Sequence, residues 1–126
     1  MSLKIKHNVF EDYLWVEFSG NRTPGKEVEE GIGAWKQVAN IARKVNQNRM
    51  IVVSKVIGRL PVVSAFNITE SLDIIGWQQD FIVAGVAPNK MTFANLSIYE
   101  TIMQNLGYES KMFVNENDAK KWLLNF

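Results

Sequence analysis

Gly20-Asn21-Arg22-Thr23-Pro24-Gly25-Lys26 has the GxxxxGK spacing of a phosphate-binding loop, between an expected strand and an expected helix. In that chemistry backbone N–H groups cradle phosphate, and a Ser or Thr after the Lys holds magnesium. Here the next residue is Glu27, whose carboxylate repels phosphate, and Pro24 removes a backbone donor. Neither of the apolar strands expected downstream ends in the Asp that would complete the metal site. The segment reads instead as a strand-to-helix turn built from Gly, Thr and Pro.

Other reactive groups are equally sparse. His7 is the only histidine, with Glu11 four residues on across an expected turn, whereas a catalytic zinc site takes three protein ligands. A serine nucleophile would need His7 as its base, and no GxSxG elbow is present. The absence of cysteine excludes disulfides, thiolate metal sites and thiol catalysis. Carboxylate pairs such as Glu29 and Glu30 fall on a helix surface, where solvation accounts for them. Asp80 precedes a strand at its amino end, the wrong end for a site in an open α/β sheet. These residues point to no enzyme, no metal and no cofactor.

Tryptophans, enriched at interfaces as well as in cores, are Trp15, Trp35, Trp77 and Trp122. Trp35 and Trp122 lie on apolar helical faces and read as core. Trp15 alternates out of phase with Leu14 and Val16, so it packs under a helix or is an exposed anchor. Trp77 falls about half a turn off the stripe Ile68, Leu72, Ile75 and is the expected partner or ligand contact.

The elements that would position such groups follow from periodicity. Met50 to Val53 is a continuous β-branched run, expected as a strand buried on both faces, and Phe81 to Ala87, ended by Pro88, is a second. A weak edge strand begins near Leu3, a stronger one covers Tyr13 to Ser19, and Glu11-Asp12 turns between them. Thr23 and Pro24 are expected as N-cap and first residue of a helix whose apolar face runs from Val28 to Val45. Gly31 and Gly33 weaken that helix by about 1 kcal/mol each relative to Ala.

After the first buried strand the chain leaves through Gly58 and Pro61. Asn67, with Glu70 three residues on, is expected to cap the next helix. A helix over Asn89 to Gly107, a short strand over Tyr108 to Val114 and a final helix capped by Asn115 complete the chain. In that last helix Ala119, Trp122, Leu123 and Phe126 form the apolar side. The order β-β-α-β-α-β-α-β-α predicts a single-domain α/β fold with a mixed sheet. Its first two strands are antiparallel, and the later ones are parallel through right-handed crossovers.

With 126 residues, 47% hydrophobic and 21% charged, the chain fits one core. A net charge of +1 implies no nucleic-acid or anionic-membrane partner. No apolar run reaches the roughly 18 residues of a membrane span, and the first residues (Ser2, Lys4, Lys6, His7) lack a signal-peptide core. A cytoplasmic protein without stable membrane insertion is expected, and the triplets at Asn21, Asn67 and Asn95 are then chance matches to the glycosylation pattern.

The closing segment, Gly107-Tyr108-Glu109-Ser110-Lys111-Met112-Phe113 and then Asn117-Asp118-Ala119-Lys120-Lys121-Trp122-Leu123, resembles the SpoIIAA-like branch of the STAS superfamily. The front end, Leu14 to Gly20 and then a long helix, is similar too. The resemblance implies a four- or five-stranded mixed sheet with helices about it. It also implies a non-enzymatic regulatory module that binds a protein partner and is switched by phosphorylation. The anti-sigma factor antagonists of that superfamily carry a switch serine after an aspartate, at the start of the helix following the central strand. Ser64 of Pro61-Val62-Val63-Ser64-Ala65-Phe66-Asn67 holds that place, with Val63 where the aspartate would stand. Likeness to Sec14-type lipid-binding domains implies the alternative, a carrier holding a small apolar ligand or lipid under the helices near Asn67 and Asn89. The expected partner- or ligand-binding residues are Gly58, Pro61, Ser64, Phe66, Asn67 and Trp77, with Ser64 the possible phosphorylation site. A homodimer is open on this reading.

Overall fold

The computed structural model describes residues 3–87 and 89–126, apart from the side chains of Met91 and Asn95. Ser2 and Pro88, the expected strand terminator, lie outside the described residues. Five strands form one sheet in the order β1-β2-β3-β4-β5. β1 (Leu3–Val9) and β2 (Leu14–Asn21) are an antiparallel hairpin in which Leu3 faces Gly20 and Val9 faces Leu14. The Phe10 N–H closes its turn on the Tyr13 carbonyl at 3.0 Å. β3 (Arg49–Ile57), β4 (Ile82–Val86) and β5 (Glu109–Phe113) continue the sheet in parallel, as does β3 beside β2.

The β-branched run in β3 is explained by cover on both faces. Met50, Val52 and Val56 face the larger core beneath α1 (Glu27–Lys44), α2 (Val62–Glu70), α3 (Leu72–Ile75) and α4 (Lys90–Asn105). Ile51 and Val53 face a smaller core, with Ala84 and Val86 of β4, closed by Ala119 and Leu123 of α5 (Glu116–Leu123). Alternate residues therefore meet apolar partners on opposite sides, and no residue between Met50 and Ser54 is charged. On that second face Lys55 reaches the Glu17 carboxylate at 2.9 Å and Lys6 reaches it at 3.8 Å. Among the described residues no helix is long and apolar enough to cross a membrane.

The expected cap at Asn115 is in place, its side chain accepting the Asp118 N–H at 2.9 Å. The Asn89 side chain, where a helix was expected to begin, accepts the Thr92 N–H at 2.8 Å, a cap not assigned from the sequence. Gly107, at φ 89°, lies just beyond α4 in the left-handed region, as expected of a C′ residue.

Two other helix starts differ from expectation. Thr23 and Pro24 do not open α1, which begins at Glu27 after Lys26. Gly25, at φ 86°, sits in a turn closed by the Lys26 N–H on the Thr23 carbonyl at 2.9 Å, and that conformation cannot continue a helix. Asn67 does not cap a helix either. α2 starts five residues earlier behind Pro61, the N-cap at φ −60° and ψ 145°, and Asn67 lies exposed in its middle. Proline lacks the N–H that a helix start leaves unused, and its fixed φ suits entry into the first turn, so it outweighed the Asn-x-x-Glu spacing.

Candidate functional site

Of the expected site residues, Gly58, Pro61, Ser64, Phe66 and Asn67 come together at the carboxyl end of β3, along the turn into α2 and its outer face. Gly58 takes φ 115°, open to glycine at little cost, and its carbonyl accepts the Arg22 Nη1 donor at 2.6 Å. Ala65, Ile68 and Thr69 are the buried side of α2, and the Thr69 hydroxyl donates back to the Ala65 carbonyl at 3.0 Å. The outer side is apolar: Val62 is 61% exposed, Val63 70% and Phe66 46%. Spacings of three and four place Phe66 beside both valines, forming one ridge. Ser64 is half-buried in the first helical turn. The first helical bond runs from the Ala65 N–H to the Pro61 carbonyl at 3.0 Å, which leaves the preceding N–H groups directed out of the helix start.

Trp77 does not belong to this surface. It is 3% exposed, its ring meeting Trp35 edge-on at 5.3 Å and Phe81 at 5.0 Å. Half-turn arithmetic failed because the helix has ended before it. Gly76, at φ 92°, reverses the chain after α3, and Trp77 is delivered inward under α1. Its indole N–H is buried and has no hydrogen-bond partner among the described residues.

A second feature was legible in the sequence only in part. A cavity of about 50 Å³ lies between the sheet, α1 and α4, near the carboxyl ends of β2, β3 and β4. Val52, Leu60, Leu96 and Met103 give it apolar walls, while Arg22, Glu27, Ser54 and Tyr99 add polar groups. Arg22 and Glu27 are half-exposed and mark its mouth, whereas Ser54 and Tyr99 are buried. α2 contributes no lining residue, whereas Leu96, Tyr99 and Met103 of α4 do, so the cavity lies under the helix that starts at Asn89 and not under the one that contains Asn67.

The turn rejected as a phosphate loop builds this mouth. The Arg22 N–H extends the β2–β3 pairing by donating to the Ile57 carbonyl at 2.9 Å, which fixes where the guanidinium emerges. Glu30, on the inward side of α1, accepts the Thr23 N–H and the Thr23 hydroxyl, each at 2.9 Å, and holds the turn against the helix. The Glu27 carboxylate accepts the Gly25 N–H at 2.8 Å. Burial lowers the Arg22 guanidinium from its ordinary value, opposed by Tyr99, Glu30 and Glu27. Burial pushes the Tyr99 hydroxyl up to about 12, opposed by Arg22 and by a hydrogen bond with the Trp35 side chain. Tyr99 is therefore a neutral hydrogen-bonding group at physiological pH. Sequence signals did exist: Ser54 interrupts an apolar run, and Glu30 sits four residues before Ala34 on the buried side of α1.

Among the described residues no group of three or more His, Asp or Glu is placed to hold a metal ion. Compared with protein-family models and with curated proteins, the chain matches none.

Proposed function

We propose that this chain is a non-enzymatic interaction module of the STAS type, engaging a protein partner through the outer face of α2. The observation that carries this reading is the apolar ridge of Val62, Val63 and Phe66, exposed on the helix that follows the central strand. Exposed apolar residues scattered singly need no explanation, but three adjoining ones on one helix face are the composition of a docking surface. Ser64 lies in the first turn of the same helix, where a phosphate would meet helix-start N–H groups. The rival reading, a carrier of a small apolar ligand or lipid, has less support for a lipid-sized cargo. Ligand pockets for molecules of that size span about 300–1,000 Å³, against a cavity of about 50 Å³ here.

A photo-crosslinking residue placed at Val63 tests the proposal in the native host, with the same residue at exposed Lys36 on α1 as control. A discrete adduct at 63 that is absent at 36, and lost in Phe66→Glu protein of unchanged melting temperature, is the expected result. Identical adducts at both positions, or none at 63, would sink it.

A further inference from the structure

The mouth of the cavity brings together opposite charges that do not meet. Arg22 and Glu27 both line it, and the glutamate is near enough to favour the charged guanidinium. Yet among the described residues the ion pairs within 4.0 Å are only those of Glu17 with Lys6 and Lys55. Among the described residues the Arg22 guanidinium donates one hydrogen bond, to the Gly58 carbonyl, and keeps the rest of its fork of N–H groups. Glu27 engages one carboxylate oxygen with the Gly25 N–H and keeps the other open among the described residues. Glu30, the other carboxylate at this end, is turned onto Thr23. The site thus offers one guanidinium and one carboxylate across a gap, with apolar walls behind them.

We propose that this cavity binds a zwitterionic α-amino acid with a small apolar side chain. The ligand carboxylate takes the open N–H groups of Arg22, and its ammonium takes the second oxygen of Glu27. Its side chain enters among Val52, Leu60, Leu96 and Met103. Charge selects this class over its neighbours. A simple carboxylic acid leaves Glu27 facing an anion without compensation, and a simple amine does the same to Arg22 as a cation. Size limits the side chain. A water needs about 10–15 Å³ of such space, so a cavity of about 50 Å³ holds roughly four such volumes. That suits a valine or leucine side chain and is too small for an indole. Ser54 and Tyr99, both buried on the lining, supply hydroxyl groups deeper in. The site is independent of the α2 ridge, which shares none of its lining residues.

The test is a calorimetric and Trp-fluorescence titration of the full chain, since Trp35 lines the cavity. L-valine and L-leucine are compared with isovalerate, which lacks the ammonium, with isoamylamine, which lacks the carboxylate, and with L-tryptophan. Saturable binding of valine or leucine, and at least about tenfold weaker binding of the other three, is expected from the loss of one charge-assisted contact or of fit. Arg22→Gln and Glu27→Gln should each weaken leucine binding by about tenfold or more. The ligand series uses the wild-type chain, so it stands whether or not either variant folds. Equal affinity for isovalerate or isoamylamine, or no saturable signal for either amino acid at millimolar concentration, overturns the proposal.

Discussion

The side chain of Ile68 on α2 packs into the notch that Gly31 leaves in α1. A Cβ at Gly31 would lie 3.0 Å from Ile68 Cγ1 and closer still to Cδ1. Ile68 is fully buried, so its branch has little room to yield. A glycine that weakens the helix by intrinsic propensity thus allows two helices to approach closely. Gly31→Ala sets a helix gain of about 1 kcal/mol against an overpacking cost of about 1–3 kcal/mol. A net loss of about 0–2 kcal/mol is expected in urea denaturation. In an Ile68→Val background, which removes the blocking methyl, the same substitution should stabilise. Additive effects of the two changes would show that the notch carries no energy.

Trp77 gives the opposite lesson about surfaces. Buried between Trp35 and Phe81, it should behave as core, with Trp77→Ala lowering stability by about 3–5 kcal/mol. Trp77→Phe keeps the edge-on ring contacts and removes an N–H that has no partner among the described residues, so its loss should stay below about 2 kcal/mol. A midpoint unchanged by Trp77→Ala would return this residue to the surface.

Tyr99 makes stability depend on alkaline pH. Its folded-state value of about 12 stands above the unfolded value near 10. The contribution is therefore fully present below pH 10 and is lost as pH rises from 10 towards 12, where the unfolded chain sheds its proton first. About 2 units correspond to roughly 2–3 kcal/mol across that window. Tyr99→Phe should flatten this alkaline limb, leaving the part due to Tyr108, which burial also raises. An alkaline limb of the same depth in Tyr99→Phe would place the dependence elsewhere.

The elements were legible where a local pattern and a tertiary fact coincide. Met50 to Val53 and Ile82 to Val86 are apolar throughout because each is covered on both faces, and Asn89 and Asn115 cap because nothing nearby competes. Where two local signals competed, as Pro61 against Asn67, the backbone constraint of proline set the helix start. Trp77 departs from its expected surface position because one left-handed residue, Gly76, ends the helical period before it. The cavity was legible only in part: a pocket was expected under the Asn89 helix, but its polar mouth was not. The turn that carries Arg22 and Glu27, Ser54 with Leu60, and Tyr99 are distant in sequence, and the parallel pairing of β2 with β3 and of β3 with β4 brings them together.

Ser64 bears on regulation through the charge it could carry. It sits in the first turn of α2, half-buried, with Val62, Val63 and Phe66 around it. Negative charge near a helix start is favourable by about 0.3–1 kcal/mol, since helix-start N–H groups point towards it. Ser64→Asp should therefore leave the melting temperature unchanged or slightly raised. The same charge opposes burial of the apolar ridge against a partner, because a carboxylate or phosphate beside it must give up water. Crosslinking through Val63 should accordingly fall in Ser64→Asp and persist in Ser64→Ala, at equal stability of the two proteins. Adducts equally strong in both variants would leave Ser64 as an ordinary residue of a helix surface, with no part in switching.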